Sequence, residues 1–321
     1  MNVVVIALTG ASGLVGQRLL PLLADDPRVE QVVALDARDL HRRQANVTFH
    51  RVDIAGTDLR PVLEGVDVVV HLAGVVDPIA DETLMARVNV EGTRRVLAAA
   101  ASVGVTKVVR VSSATVYGAW PDNPVPLTED APLRPNAFSP ALQGAEVERL
   151  LSSWRHDRPG VVVTTLRSAT VVGPGAERLP GRIFLGRPPL RVRGAALPVQ
   201  VVHADDLASA LALAATSDLP GVYNVAADGW LDADALRALV PATRVPALQR
   251  SVLEHLLSRT WALGIGTVPP GVVAYLEHPW VVSNEKLRAH GWAPRHSNDA
   301  AIAEAVRSLS PRRRTGRHRE E

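Results

Sequence analysis

The first half of the chain alternates two hydrophobic patterns. Short apolar runs at 3–9, 31–36, 47–53, 66–74, 105–113 and 160–167 read as strands. Several, such as "VDVVVHLAG", are apolar at consecutive positions, so both faces of each strand need cover. Between them, 14–25, 58–64, 83–103 and 139–154 carry helical spacing. Strand–helix alternation of this kind predicts an α/β fold with a Rossmann-type doubly wound parallel sheet. The second half is less regular. A strand is expected at 222–228 and helices at 232–240 and 248–263, separated by Pro- and Gly-punctuated loops. The pattern divides the chain into a sheet domain over 1–175 and a smaller C-terminal lobe over 176–310. Segments near 196–215 and 222–228 are expected to return to the first domain.

Composition narrows the chemistry. There is no cysteine, which excludes disulfides, thiolate catalysis and Cys-based metal sites. No metal-binding spacing is recognised. The net charge is +2, and the tail 311–321, with five arginines and two glutamates, contributes +3 by itself. The remainder therefore carries −1, no broad basic face is implied, and nucleic acid is not expected as a partner. The tail reads as a disordered basic end. The opening "MNVVVIALTG" runs straight into a glycine turn like a first buried strand rather than a leader, and no run of 18 apolar residues suggests a membrane span. A cytoplasmic protein is the expectation.

The turn after the first strand, "TGASGLVGQRLL", has glycines at 10, 13 and 16. Gly10 suits the tight turn, Gly13 a close approach of backbone N–H groups to a pyrophosphate, and Gly16 close helix–strand packing. Ser12, Leu14 and Val15 complete the turn. Asp36 ends the second strand 20 residues after Gly16, where a carboxylate accepts from ribose hydroxyls and repels a 2′-phosphate. NAD is therefore expected over NADP, although Arg38, Arg42 and Arg43 follow closely.

The spacing GxxGxxG resembles the extended short-chain dehydrogenase/reductase family, the NAD-dependent sugar epimerases and dehydratases. Similar segments continue along the chain: "VDIAG", "HLAG", "NVEGTRRVLAAA", "VSSATVYG", "TEDAPLRP", "LRSATVVGPG" and "VVHADDLASAL". The resemblance implies that Asp53 and Ile54 meet the adenine, that Leu72, Ala73 and Gly74 lie beneath the dinucleotide, and that Asn89 braces the central strand. It further implies that Ser113 is the catalytic serine, that Ser168 lies on the nicotinamide side, and that the chain pairs as a homodimer through helices near 85–102 and 139–154. His71 reads as a packed histidine rather than a base.

The family's proton chemistry uses a Tyr and a Lys one helical turn later. Counted from "TEDAPLRP" and from Glu146, those positions here hold Phe138 and Leu142. No Tyr-x-x-x-Lys occurs anywhere in the chain. Phe has no proton to transfer and Leu no charge to tune a phenol. Tyr117, four residues after Ser113, is a weak substitute; Arg193 and His203 could face a substrate from the later lobe. Two functions remain open: an epimerase-like or dehydratase-like enzyme of non-standard chemistry acting on a small molecule, and a catalytically silent NAD(H)-binding protein whose lobe meets a protein partner. The apolar region 248–280 could serve as a lid or partner face, or simply be a core helix with a packed loop.

Overall fold

The structure is a computed structural model that describes residues 3–40, 44–176, 190–240 and 247–309. Arg42, Arg43 and the basic tail lie outside the described residues. Seven parallel strands form one sheet: β1 (Val4–Thr9), β2 (Val29–Asp36), β3 (Val47–Arg51), β4 (Val68–His71), β5 (Lys107–Ser113), β6 (Val162–Ser168) and β9 (Gly221–Val225). Their order is β3-β2-β1-β4-β5-β6-β9. The predicted doubly wound α/β fold is therefore present. The order reverses between β1 and β4, where the crevice of such a sheet opens.

Consecutive strand residues are shared between two cores. Ile6 and Leu8 belong to one, with Val32, Ala34, Val68 and Val70. Ala7 belongs to the other, with Val33, Leu35, Val69 and Val108. Helix α1 (Gly16–Ala24) and α6 (Ala204–Thr216) cover the first face. The second is covered by α2 (Arg60–Leu63), α4 (Gly92–Val103) and α5 (Ser139–His156). This is why the strands read as continuous apolar runs: each is buried on both sides.

The helix expected over 83–103 is interrupted. Helix α3 (Glu82–Ala86) passes into a π-helical turn (Arg87–Glu91) before α4. Gly104, at φ +81, ends α4 with a left-handed residue, which glycine adopts without penalty. Beyond the sheet lie two short parallel strands, β7 (Thr170–Val172) and β8 (Val201–His203), packed under α10 (Asn298–Leu309). The remaining elements are α7 (Ala233–Leu239), α8 (Arg250–Ala262), a 3-10 turn (Pro270–Leu276) and α9 (Glu285–Arg288). Leu253 and Leu257 of α8 pack on Val272, Val273 and Leu276, so the apolar 248–280 region has its own small core. Val252, Leu256, Leu263 and Ile265 remain exposed on it. No described helix is long and apolar enough to cross a membrane.

The first turn depends on glycine sterics. A Cβ on Gly16 would collide with the Gly10 carbonyl and with Ala11 backbone atoms. Gly16→Ala should cost about 1–3 kcal/mol, measured by urea unfolding. Gly160→Ala, with nothing within 4 Å of the added atom, is the control and should be near neutral.

Candidate active site

The cradle forms where β1 and β4 diverge. Gly10 has φ +75, and a Cβ there would lie 2.7 Å from Ala73 N. The turn after β1 is thereby drawn against the loop Leu72–Gly74. Gly13 N donates to Gly10 O at 3.0 Å, closing the turn ahead of α1. Thr9 Oγ1 accepts from Ala73 N at 3.2 Å and bonds His71 Nδ1 at 2.7 Å. His71 Nε2 lies 2.9 Å from Thr93 Oγ1, and burial, helped by Arg110, holds its pKa well below the usual imidazole value. A neutral, fully engaged ring is a brace between strand and helix, not a base.

The acidic rim is built by backbone. The Asp36 carboxylate accepts from Ser12 N and from Arg38 N, each at 2.9 Å. Ser12 Oγ donates to Arg38 O at 2.9 Å, so the glycine turn and the end of β2 hold one another. The Arg38 guanidinium is mostly exposed, 3.6 Å from Asp36. Asp53 is exposed and accepts from Ala55 N at 3.0 Å, capping its own turn, while Ile54 is buried beneath Gly92. Leu14 and Val15 are half-buried between the turn and α1. Arg18 of α1 pairs with Asp205 at 2.7 Å and donates to Pro174 O at 2.6 Å, tying the loop after β7 to the cradle.

Asn89 lies in the π-helical turn and grips the loop after β4 rather than a strand. Its Oδ1 accepts from Val75 N at 2.7 Å, and its Nδ2 donates to Val75 O at 3.0 Å and to Gln143 Oε1 at 2.9 Å. Gln143 was not singled out as a site residue by sequence. Its burial on α5 follows from the helical face it shares with Val147, Leu151 and Trp154.

Ser113 ends β5, and its Oγ accepts from Thr115 N and Thr115 Oγ1 at 3.2 and 3.0 Å. Ser168 Oγ, on the neighbouring strand, donates to Ser112 O at 3.2 Å. Phe138 caps α5 and is buried, its ring 5.6 Å from that of Tyr275, whose hydroxyl donates to Thr115 O at 2.7 Å. Leu142, one turn on, is 47% exposed.

Farther along α5 the structure separates two glutamates. Glu146 is exposed, whereas Glu148 is buried in a bidentate pair with Arg167 at 2.6 Å and accepts from Ser112 Oγ at 2.6 Å. Counted from Glu148 instead of Glu146, the family's Tyr and Lys positions slide to Pro140 and Gly144. Neither pair offers a titratable atom. A Cβ on Gly144 would stand 3.1 Å from Val116, so α5 lies close against the turn that follows Ser113.

Tyr117, the weak substitute acid of the sequence, is engaged on both sides of its hydroxyl. Its hydroxyl donates to Asn224 Oδ1 at 2.8 Å and accepts from Arg167 Nη1 at 2.7 Å, and burial pushes its pKa up to about 12. Arg193 projects from an exposed position whose backbone N–H donates to Leu248 O. His203 does not line an open cleft: it is 2% exposed and stacked on His296 at 3.9 Å.

The ion pair sets two expectations. Glu148→Gln should cost about 3–5 kcal/mol by stranding a buried guanidinium, whereas Glu146→Gln should stay within about 0.5 kcal/mol, both by urea unfolding. Tyr117 keeps its proton in the fold after an unfolded phenol, near pH 10, has lost it. Its contribution is therefore full below pH 10 and lost as pH rises to about 12. Thermal melts across that window should show the fall, and Tyr117→Phe should flatten it.

Comparison with known proteins agrees with this architecture. Residues 6–226 match the model of the NAD dependent epimerase/dehydratase family. An uncharacterised protein of Mycobacterium tuberculosis is 31% identical over 253 residues, covering 75% of this chain and 66% of the relative. The chain thus spans just under two thirds of that relative. A 3-diazoavenalumate denitrifying reductase of a Streptomyces species is 30% identical over 321 residues, covering 91% of this chain and 96% of the relative. Among solved structures, MoeE5 in complex with UDP-glucose and NAD superposes with a TM-score of 0.73 at 24% identity, covering 95% of this chain and 99% of its own. The Thermus thermophilus UDP-glucose 4-epimerase in complex with NAD gives 0.70 at 25%, covering 95% and 98%. With a nucleotide cradle at the strand-order reversal and a family match over most of its length, the chain belongs to the NAD-dependent epimerase/dehydratase family.

Proposed function

We propose that the chain binds NAD(H) at the Gly10–Gly16 turn, with Asp36 on the adenosine ribose, and delivers hydride to an acceptor that needs no proton from the protein. The observation that carries this reading is an intact cradle beside an α5 start without a proton relay. Oxidising a sugar hydroxyl with NAD requires removal of the O–H proton as the hydride leaves. Phe138 and Leu142, or Pro140 and Gly144, cannot take it, and Tyr117 is locked to Asn224 and Arg167. General acid–base catalysis supplies about 10²–10⁴-fold, so ordinary epimerase or dehydratase turnover is not expected.

Some acceptors need no such proton. An aryl diazonium takes hydride at its terminal nitrogen; the resulting diazene loses N₂ and its hydrogen passes to the ring carbon. One NADH and one diazonium give one arene, one N₂ and one NAD⁺. The Streptomyces relative, matched over 96% of its length, is described as a denitrifying reductase of a diazo compound, which supports this class of acceptor. Ser113, at the end of β5, would orient the acceptor. The competing reading is a silent NAD(H)-binding protein. It is favoured by the internal engagement of Tyr117 and by the bonds Ser113 accepts from Thr115.

The test is binding followed by turnover. NADH fluorescence titration should show binding, weakened at least about tenfold in Asp36→Ala, since a charged hydrogen bond to the ribose is lost. Aryl diazonium acids should consume NADH and release N₂ faster than without protein, and Ser113→Ala should slow this. UDP- and dTDP-sugars should give no product. Binding without turnover of any acceptor would favour the silent protein; efficient sugar epimerisation would sink both readings.

A further inference from the structure

A second cluster of chemically capable side chains lies away from the cradle, where β8 meets α10. His203 ends β8, His296 precedes α10, and Glu304 lies on α10. One donor atom from each of the three lies within 4.8 Å of the others. The Nε2 of His203 is buried and has no hydrogen-bond partner among the described residues; the nearest carboxylate oxygen, on Glu304, is 3.4 Å away. A buried ring nitrogen with no partner is a rare and costly arrangement. The space beside it is kept by Gly173, at φ +125, where a Cβ would approach Nε2 to 2.7 Å.

The surroundings set the tautomers of the two imidazoles. Asp206, itself 1% exposed, accepts from the backbone N–H of Arg295 and His296 at 3.1 and 3.0 Å and lies 3.0 Å from His296 Nδ1. That contact places the His296 proton on Nδ1 and leaves Nε2 with a free lone pair. His203 is set differently: its Nδ1 accepts from the Asp205 N–H at 3.2 Å, so the neutral ring carries its proton on Nε2, with the Asp205 carboxylate 3.6 Å from Nδ1. For His296 this is the carboxylate contact that fixes the tautomer of a metal-ligating histidine; for His203 an ion at Nε2 would displace the proton to Nδ1, where the Asp205 carboxylate stands close enough to take over from the Asp205 N–H.

We propose that His203 Nε2, His296 Nε2 and a Glu304 carboxylate oxygen form a divalent-cation site suited to zinc, clipping the C-terminal helix to β8. Two imidazoles and one carboxylate are a familiar zinc donor set, with water completing a tetrahedron. The two rings are stacked, with centroids 3.9 Å apart and planes at 25°. Closing on an ion requires the His296 ring, the more exposed of the two at 30%, to swing out of the stack on its Asp206 tether. Glu304, 37% exposed, is free to follow. The site does not depend on the proposed hydride chemistry.

The experiment uses the untagged full-length chain, stripped with chelator and titrated with Zn²⁺ and, as a spectroscopic probe, Co²⁺. The expected result is one Zn²⁺ per chain at micromolar free metal, a raised melting temperature, and a visible Co²⁺ absorption band of tetrahedral intensity. Glu304→Gln and His296→Asn, at partly exposed positions, should each weaken binding at least about tenfold while keeping the wild-type circular dichroism. His255→Asn, an exposed histidine on α8, should change nothing. No uptake by the wild-type chain, or uptake undiminished in both ligand variants, would overturn the proposal.

Discussion

The buried pair between Glu148 and Arg167 fixes where α5 sits, and the candidate site follows from that. Burying two charges is costly unless their remaining bonding capacity is met. Here Ser112 Oγ donates to Glu148, while Arg167 reaches the Tyr117 hydroxyl as well as both carboxylate oxygens. Tyr117 passes the network to Asn224 on β9. One polar cluster thus joins α5, β5, β6 and the edge strand. Glu148 lies nearly three turns into α5 and holds it against the turn that follows Ser113, which explains how the helix keeps its place with Phe138, Pro140, Leu142 and Gly144 at its head.

Binding and proton transfer rest on different parts of the chain. The cradle is mostly backbone: a glycine turn pressed on the loop 72–74, and a carboxylate held by two N–H groups. Proton transfer would rest on two side-chain functional groups, and replacing those leaves the cradle's geometry untouched. The Asn89 clamp on Val75 and Gln143 shows the same separation. It ties the loop under the proposed dinucleotide to α5 through amides, which carry no proton at neutral pH that a relay could use.

The sheet was legible because its strands are buried on both faces, so apolar runs such as 68–71 stand out without alternation. The glycine turn was legible because its sterics are local. The pieces that escaped depend on distant partners. Strands β7 and β8 have three residues each, and their cover comes from α10, about 100 residues beyond β8. The π-helical turn at 87–91 has no local sequence signal; the Asn89 side chain there is turned to Val75. Glu146 and Glu148 stand two residues apart, on opposite sides of α5. Arg167, 19 residues away on β6, and Ser112 on β5 decide which one is the buried anchor. The register in which α5 is compared with a Tyr-x-x-x-Lys helix was therefore open by two residues, while the chain holds that pattern in neither register.

The first turn of α6 joins the two halves of the molecule. Asp205 and Asp206 are adjacent, and acidic residues suit a helix N-terminus electrostatically. Their contacts run in opposite directions. Asp205 reaches Arg18, which also holds Leu14 O and Pro174 O beside the cradle. Asp206 holds the backbone and ring of His296 ahead of α10. A load on either side, an anion at the glycine turn or a cation beside His203, acts on the same helix end. Any energetic coupling between them must be reciprocal, and Arg18 touches the turn, the β7 loop and α6 together.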